Sequence, residues 1–105
     1  MIAESLHKEN IFQILTANSQ ELLNYGVLEI GLFGSYARNE ATKESDIDLL
    51  VDISKDKKTF RNFMALSYYL EELLGKKVEL VTKQSLSPYI GPYILKTVEY
   101  VPLAS

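Results

Sequence analysis

Cysteine is absent, and histidine occurs once, as His7. Without thiols there is neither a disulfide framework nor a thiolate zinc site. A lone histidine, with no second histidine or cysteine to share a metal, reads as a surface residue. Positive charge is not in excess: 11 lysines and arginines face 14 aspartates and glutamates, for a formal charge of −3. A domain that grips a nucleic-acid backbone by charge is normally basic, so direct nucleic-acid binding is disfavoured. No apolar run reaches membrane-spanning length, and the N-terminus lacks a signal-peptide pattern. The expectation is a soluble, cytoplasmic protein with no membrane association. Repeats, low-complexity tracts and linkers are missing, so the 105 residues are expected to form one domain, 1–105. Apolar residues make up 47%, which suits a packed globule and argues against disorder.

Helical and strand-like stretches alternate. Asn10 to Tyr25 reads as one amphipathic helix, with Ile11, Ile14, Leu15, Leu22 and Leu23 recurring at helical spacing, and Gly26 stops it. Val27 to Phe33 and Ile47 to Ile53 read as strands, the second dense enough in apolar residues for a central place in a sheet. Thr59 to Leu74 reads as a second long helix, with Phe60, Phe63, Met64, Leu70, Leu73 and Leu74 inward and Gly75 at its end. Val78 to Val81 is a short third strand in which Glu79 stands among apolar neighbours. Ser87-Pro88 fits a helix start, but Gly91 and Pro92 interrupt it, so a last helix with Ile90, Ile94, Leu95 and Val98 on one face begins near Pro92. The fold class is α/β or α+β, with about three strands packed against helices.

The richest stretch is Gly34 to Asp48, between the first two strands. Gly34 permits a turn that a side chain would obstruct. Ser35 is placed to cap a short following helix, whose free N–H groups favour an anion. Asp46 and Asp48 are two apart on a strand, so their carboxylates face the same way. A phosphate cradle beside paired carboxylates is what metal-dependent phosphate transfer needs. Asp-x-Asp alone, or Gly-Ser after a strand alone, is most often a solvated face or a plain turn. The combination is more specific, with ten residues between Ser35 and Asp46 and a third carboxylate in a third strand.

Gly34-Ser35, ten residues, then Asp46-Ile47-Asp48 resembles the signature of the nucleotidyltransferase superfamily of the DNA polymerase beta type. Phe33-Gly34-Ser35-Tyr36-Ala37-Arg38, Ser45-Asp46-Ile47-Asp48-Leu49-Leu50-Val51 and Lys77-Val78-Glu79-Leu80-Val81-Thr82 are similar to the minimal nucleotidyltransferases, or MNT proteins. The resemblance covers nearly the whole chain. It implies a mixed sheet with helices against it, and transfer of a nucleoside monophosphate from a triphosphate such as ATP with Mg²⁺, two ions being expected. It implies that Asp46 and Asp48 are catalytic metal ligands and that Glu79 occupies the third carboxylate position, as ligand or as base. Gly34 and Ser35 match the contacts to the triphosphate tail, where Arg38 could add charge.

Two residues depart from the family pattern. Asn39 stands where glycine is frequent, a mild change because asparagine tolerates a left-handed backbone. Glu79 stands where aspartate is common, which moves the carboxylate about one bond from the backbone. Many MNT proteins pair with a HEPN-domain RNase toxin, and some neutralise it by adding AMP to a tyrosine. The resemblance therefore implies a protein adenylyltransferase acting as antitoxin. The alternatives are a weak or inactive subunit that neutralises its partner by binding alone, and a transferase for an aminoglycoside-like small molecule. Tyr89, Tyr93 and Tyr100 suit either a docking face or core packing.

Overall fold

Two apolar runs of seven residues make the centre of the sheet. β1 (Val27–Phe33) and β2 (Ile47–Ile53) pair antiparallel, with Val27 opposite Ile53 and Phe33 opposite Asp48. β3 (Val78–Thr82) runs parallel to β2 and sets Glu79 opposite Asp48. β4 (Glu99–Tyr100) pairs antiparallel with β1, giving the mixed order β3-β2-β1-β4. The computed structural model describes residues 6–103. Around the sheet stand α1 (Lys8–Ala17), α2 (Ser19–Asn24), α3 (Gly34–Ala37), α4 (Phe60–Leu74) and α5 (Gly91–Thr97). No helix of the described residues is long and apolar enough to cross a membrane.

The two faces of the sheet differ. Ile47, Leu49, Val51 and Ile53 of β2 alternate onto one face, where they pack with Ile11, Leu15, Leu22, Leu66, Leu70 and Leu74 of α1, α2 and α4. In β1 both Val27 and Ile30 reach this core although they are three apart. A register irregularity between Val27 and Glu29 accounts for it, because one extra residue switches the side of those that follow. The opposite face carries Asp48, Leu50 and Asp52. Leu50 is fully buried there. Its cross-strand neighbour Gly31 has no room for a side chain, since a Cβ would lie 2.5 Å from Val98 Cγ2. The C-terminal segment thus covers the middle of this face, while Asp48 beyond it is only half-buried and Glu79 is exposed.

Several expectations are corrected. The first helix is broken at Asn18 into α1 and α2. Asn18 Nδ2 donates to the Ile14 carbonyl at 2.8 Å and Ser19 Oγ to the Thr16 carbonyl at 2.6 Å, local bonds that compete with the helical ladder. Thr59 is the N-cap of α4, not part of it, its side chain accepting from Asn62 N at 3.1 Å. Phe60 in the first turn is 79% exposed, not inward, while Leu66 is fully buried. α5 begins at Gly91, next to Pro92 as expected, and Ser87 makes a turn before it, its carbonyl accepting from Gly91 N and its hydroxyl from Ile90 N. Of the face assigned to this helix only Ile94 is buried, whereas Ile90 and Leu95 are exposed. The fourth strand, two residues long, adds to the three expected.

Candidate active site

β1 runs directly into α3 at Gly34. The turn needs glycine twice over: φ is +77°, and a Cβ would sit 2.0 Å from Asp48 Oδ2. The Gly34 backbone therefore packs on the Asp48 carboxylate. After α3, Asn39 takes φ 60°, the one non-glycine among the described residues with positive φ. A short loop then returns to β2. Thr42 N donates to Ser45 Oγ at 2.8 Å and Ser45 N to the Thr42 carbonyl at 3.1 Å, which folds the loop on itself. Asp46 follows immediately, one residue before the strand rather than within it.

Asp48 lies between Phe33 of β1 and Glu79 of β3 in register. Its carboxyl pKa is raised to about 6. Burial is the main cause, the charges of Glu79 and Asp46 add to it, and the Arg38 guanidinium opposes it. Three carboxylates and one arginine thus share a field at one end of β2. Arg38 Nε donates to Glu40 Oε1 at 3.0 Å, and this contact raises the Arg38 pKa, with a smaller contribution from the Tyr93 hydroxyl of α5. Tyr93 at this rim was not legible as a site residue, because nothing in the spacing relates residue 93 to the stretch 34–48.

Ser35 does not cap α3. Phe33 holds the N-cap position without a side-chain bond, because the helix starts at Gly34 itself. The half-buried Ser35 hydroxyl has no hydrogen-bond partner among the described residues. Glu79 is exposed, so it is not a buried charge awaiting compensation. It makes no ion pair among the described residues; Lys83 pairs with Glu29 instead. His7 is exposed, as expected. Among the described residues no three carboxylate or imidazole side chains converge into a ready-made metal cage. An all-oxygen donor set of this open kind fits Mg²⁺, which keeps several waters and takes further oxygens from a phosphate.

Known proteins are similar to this chain in sequence and fold. The nucleotidyltransferase domain family matches residues 11–101. The protein adenylyltransferase MntA of Thermococcus cleftensis is 48% identical over 94 residues, which cover 89% of this chain and 94% of that protein. A solved minimal nucleotidyltransferase superposes with a TM-score of 0.78 at 31% identity, over 94% of this chain and 98% of that one. A chain from the structure of the tri-AMPylated Shewanella oneidensis HEPN toxin in complex with MNT antitoxin superposes with a TM-score of 0.56 at 21% identity, over 84% of this chain and 71% of that one, and shows likeness of fold. This chain belongs to the nucleotidyltransferase family, as one of its minimal members, and is a nucleotidyl-transferring enzyme.

Proposed function

We propose that this chain transfers AMP from ATP to a tyrosine hydroxyl of a HEPN-domain RNase toxin, and so acts as its antitoxin. The observation that carries the reading is the position of the Asp48 carboxylate. It packs against Gly34 and is flanked in register by Glu79. A backbone turn without a side chain and a cluster of negative oxygens thus meet at one point, where a triphosphate can be held by its tail and bridged to the carboxylates. The adenylyltransferase relative and the AMPylated toxin of the structural neighbour make AMP and a HEPN protein the donor group and acceptor to test.

In the reaction the acceptor oxygen bonds to the α-phosphorus, the bond from that phosphorus to the α–β bridging oxygen breaks, and pyrophosphate leaves. Gly34 lets the turn close on Asp48, which keeps the triphosphate tail and the carboxylates together, and the Ser35 hydroxyl, without another partner among the described residues, donates to the tail. Arg38 stands beside the same tail as a positive charge. Asp46 and Asp48, with Glu79, would hold two Mg²⁺ ions. Bound there, Mg²⁺ neutralises phosphate charge and lowers the pKa of the acceptor hydroxyl. Where it acts as base rather than as ligand, Glu79, exposed and without an ion pair among the described residues, can receive the proton that this hydroxyl releases.

A transfer assay tests the assignment of residues. The chain is incubated with Mg²⁺, ATP labelled at the α-phosphate and a candidate HEPN-domain partner protein. Label should reach the HEPN protein, and the Asp46→Ala/Asp48→Ala variant should fold normally and transfer none. Transfer at the normal rate by that variant would overturn the assignment.

A further inference from the structure

A cavity of about 550 Å³ lies away from Asp48, behind the loop that joins α3 to β2. The start of α1, the loop from Asn39 to Lys43 and the end of α4 enclose it. Lys8, Lys43 and Lys76 line it together with the polar side chains of His7, Asn39 and Thr42, and among the described residues no aspartate or glutamate lines it. That is an unusual concentration in a chain whose formal charge is −3. The wall also has apolar area, to which Leu6 and Ala41 contribute; Tyr36 behind it is only 5% exposed.

The three ammonium groups differ in their engagements. Lys8 Nζ pairs with the Glu99 carboxylate at 3.2 Å. Lys76 Nζ donates to the Lys43 carbonyl at 2.9 Å and stands 6.0 Å from the centre of the Tyr36 ring. Lys43 has no ion-pair partner among the described residues. Lysines bind phosphate as point charges, and three of them on one wall favour an anion of several charges. The volume exceeds the need of a lone phosphate and falls in the range of small-molecule sites, roughly 300–1,000 Å³.

We propose that this cavity is a second, non-catalytic site for a nucleoside polyphosphate, its phosphates shared by Lys43, Lys76 and Lys8 and its nucleoside on the apolar part of the wall. The loop that forms one wall runs on from Lys43 to Asp46, and Lys76 ties that loop to the end of α4. An occupied cavity therefore acts on the same loop that delivers the carboxylates to the active site.

The test separates this site from the active site by leaving out metal. In EDTA, backbone amide shifts are followed while ATP, inorganic tripolyphosphate or adenosine is added. ATP should move the signals of Asn39, Thr42, Lys43 and Lys76 along a saturating curve of its own. Tripolyphosphate should move the same set more weakly, and adenosine alone should not. Equal saturation by tripolyphosphate and ATP would overturn the nucleoside part of the proposal. Lys43→Glu, whose side chain has no ion-pair partner among the described residues, should weaken ATP at this set by roughly tenfold or more. Signals of Gly34 and Ser35 should respond to ATP as before in that variant. No saturating change in the first set, or a curve unaltered by Lys43→Glu, would contradict the site. Neither result bears on AMP transfer with Mg²⁺, which is measured separately on the same variant.

Discussion

At the scale of single residues, the account turns on Gly34 and Asp48. A methyl group at Gly34 would meet Asp48 Oδ2 at 2.0 Å, on a backbone with φ +77°. Gly34→Ala should therefore displace the carboxylate and cost on the order of 1–3 kcal/mol of stability. Displacement of about 1 Å should lower transfer by roughly a hundredfold or more. A thermal melt and a rate measurement on the same preparation check both effects, and a normal rate would show that Asp48 has not moved. Asp48 also gives the fold a pH dependence. Its carboxyl titrates at about 6 in the fold and near 3.8 unfolded, so the folded state binds more protons between those values. Stability of the metal-free protein should fall as pH rises from about 4 to about 6 and stay lower above that. Asp48→Asn should remove that fall and raise stability at neutral pH by on the order of 1–2 kcal/mol, solvent screening included. Melting curves across this pH range for both proteins decide it; parallel profiles would contradict the shift. Glu79→Gln should slow transfer by orders of magnitude with little change in nucleotide affinity, because charge at the reacting centre acts on the transition state. A normal rate with lower stability would make Glu79 a structural carboxylate. Asp46, Asp48 and Gly34 were legible because the chemistry lies in adjacent residues on strand and turn. The role of Ser35 as a cap was misread, since a glycine in the left-handed region starts α3 one residue earlier.

At the scale of elements, helix faces are decided by what lies beneath them. α4 keeps Leu66, Leu70 and Leu74 on the sheet, while Phe60 sits in the first turn, largely in solvent. Leu66→Ala should cost about 2–5 kcal/mol, and Phe60→Ser should change stability by about 0.5 kcal/mol or less. Denaturant titration of the two variants tests this, and equal losses would contradict the packing. β1, β2 and β3 could be read from the sequence because their apolar runs are dense. β4 could not, because two residues carry no periodicity and their pairing comes from Gly31 and Leu32 across the chain. The break at Asn18 was likewise hidden. The apolar spacing continues through it, and only the side-chain bonds of Asn18 and Ser19 to carbonyls of the preceding turn interrupt the ladder.

At the scale of the whole molecule, one face of the sheet is sealed by α1, α2 and α4 and the other carries the chemistry. α5 borders that second face and leaves Tyr89 93% and Tyr93 56% exposed. These tyrosines are thus available to a docking partner rather than spent on the core. Tyr89→Ala should leave stability within about 0.5 kcal/mol yet weaken binding of the HEPN partner, since aromatic side chains anchor interfaces. On the proposed function, the carboxylates at the start of β2 and β3 serve to transfer AMP to a toxin and so neutralise it. The most direct measurement is the intact mass of the HEPN protein, taken with its RNase activity, after incubation with this chain, ATP and Mg²⁺. The account predicts added AMP and loss of RNase activity, both absent with the Asp46→Ala/Asp48→Ala variant. Full neutralisation with no change in mass would contradict it.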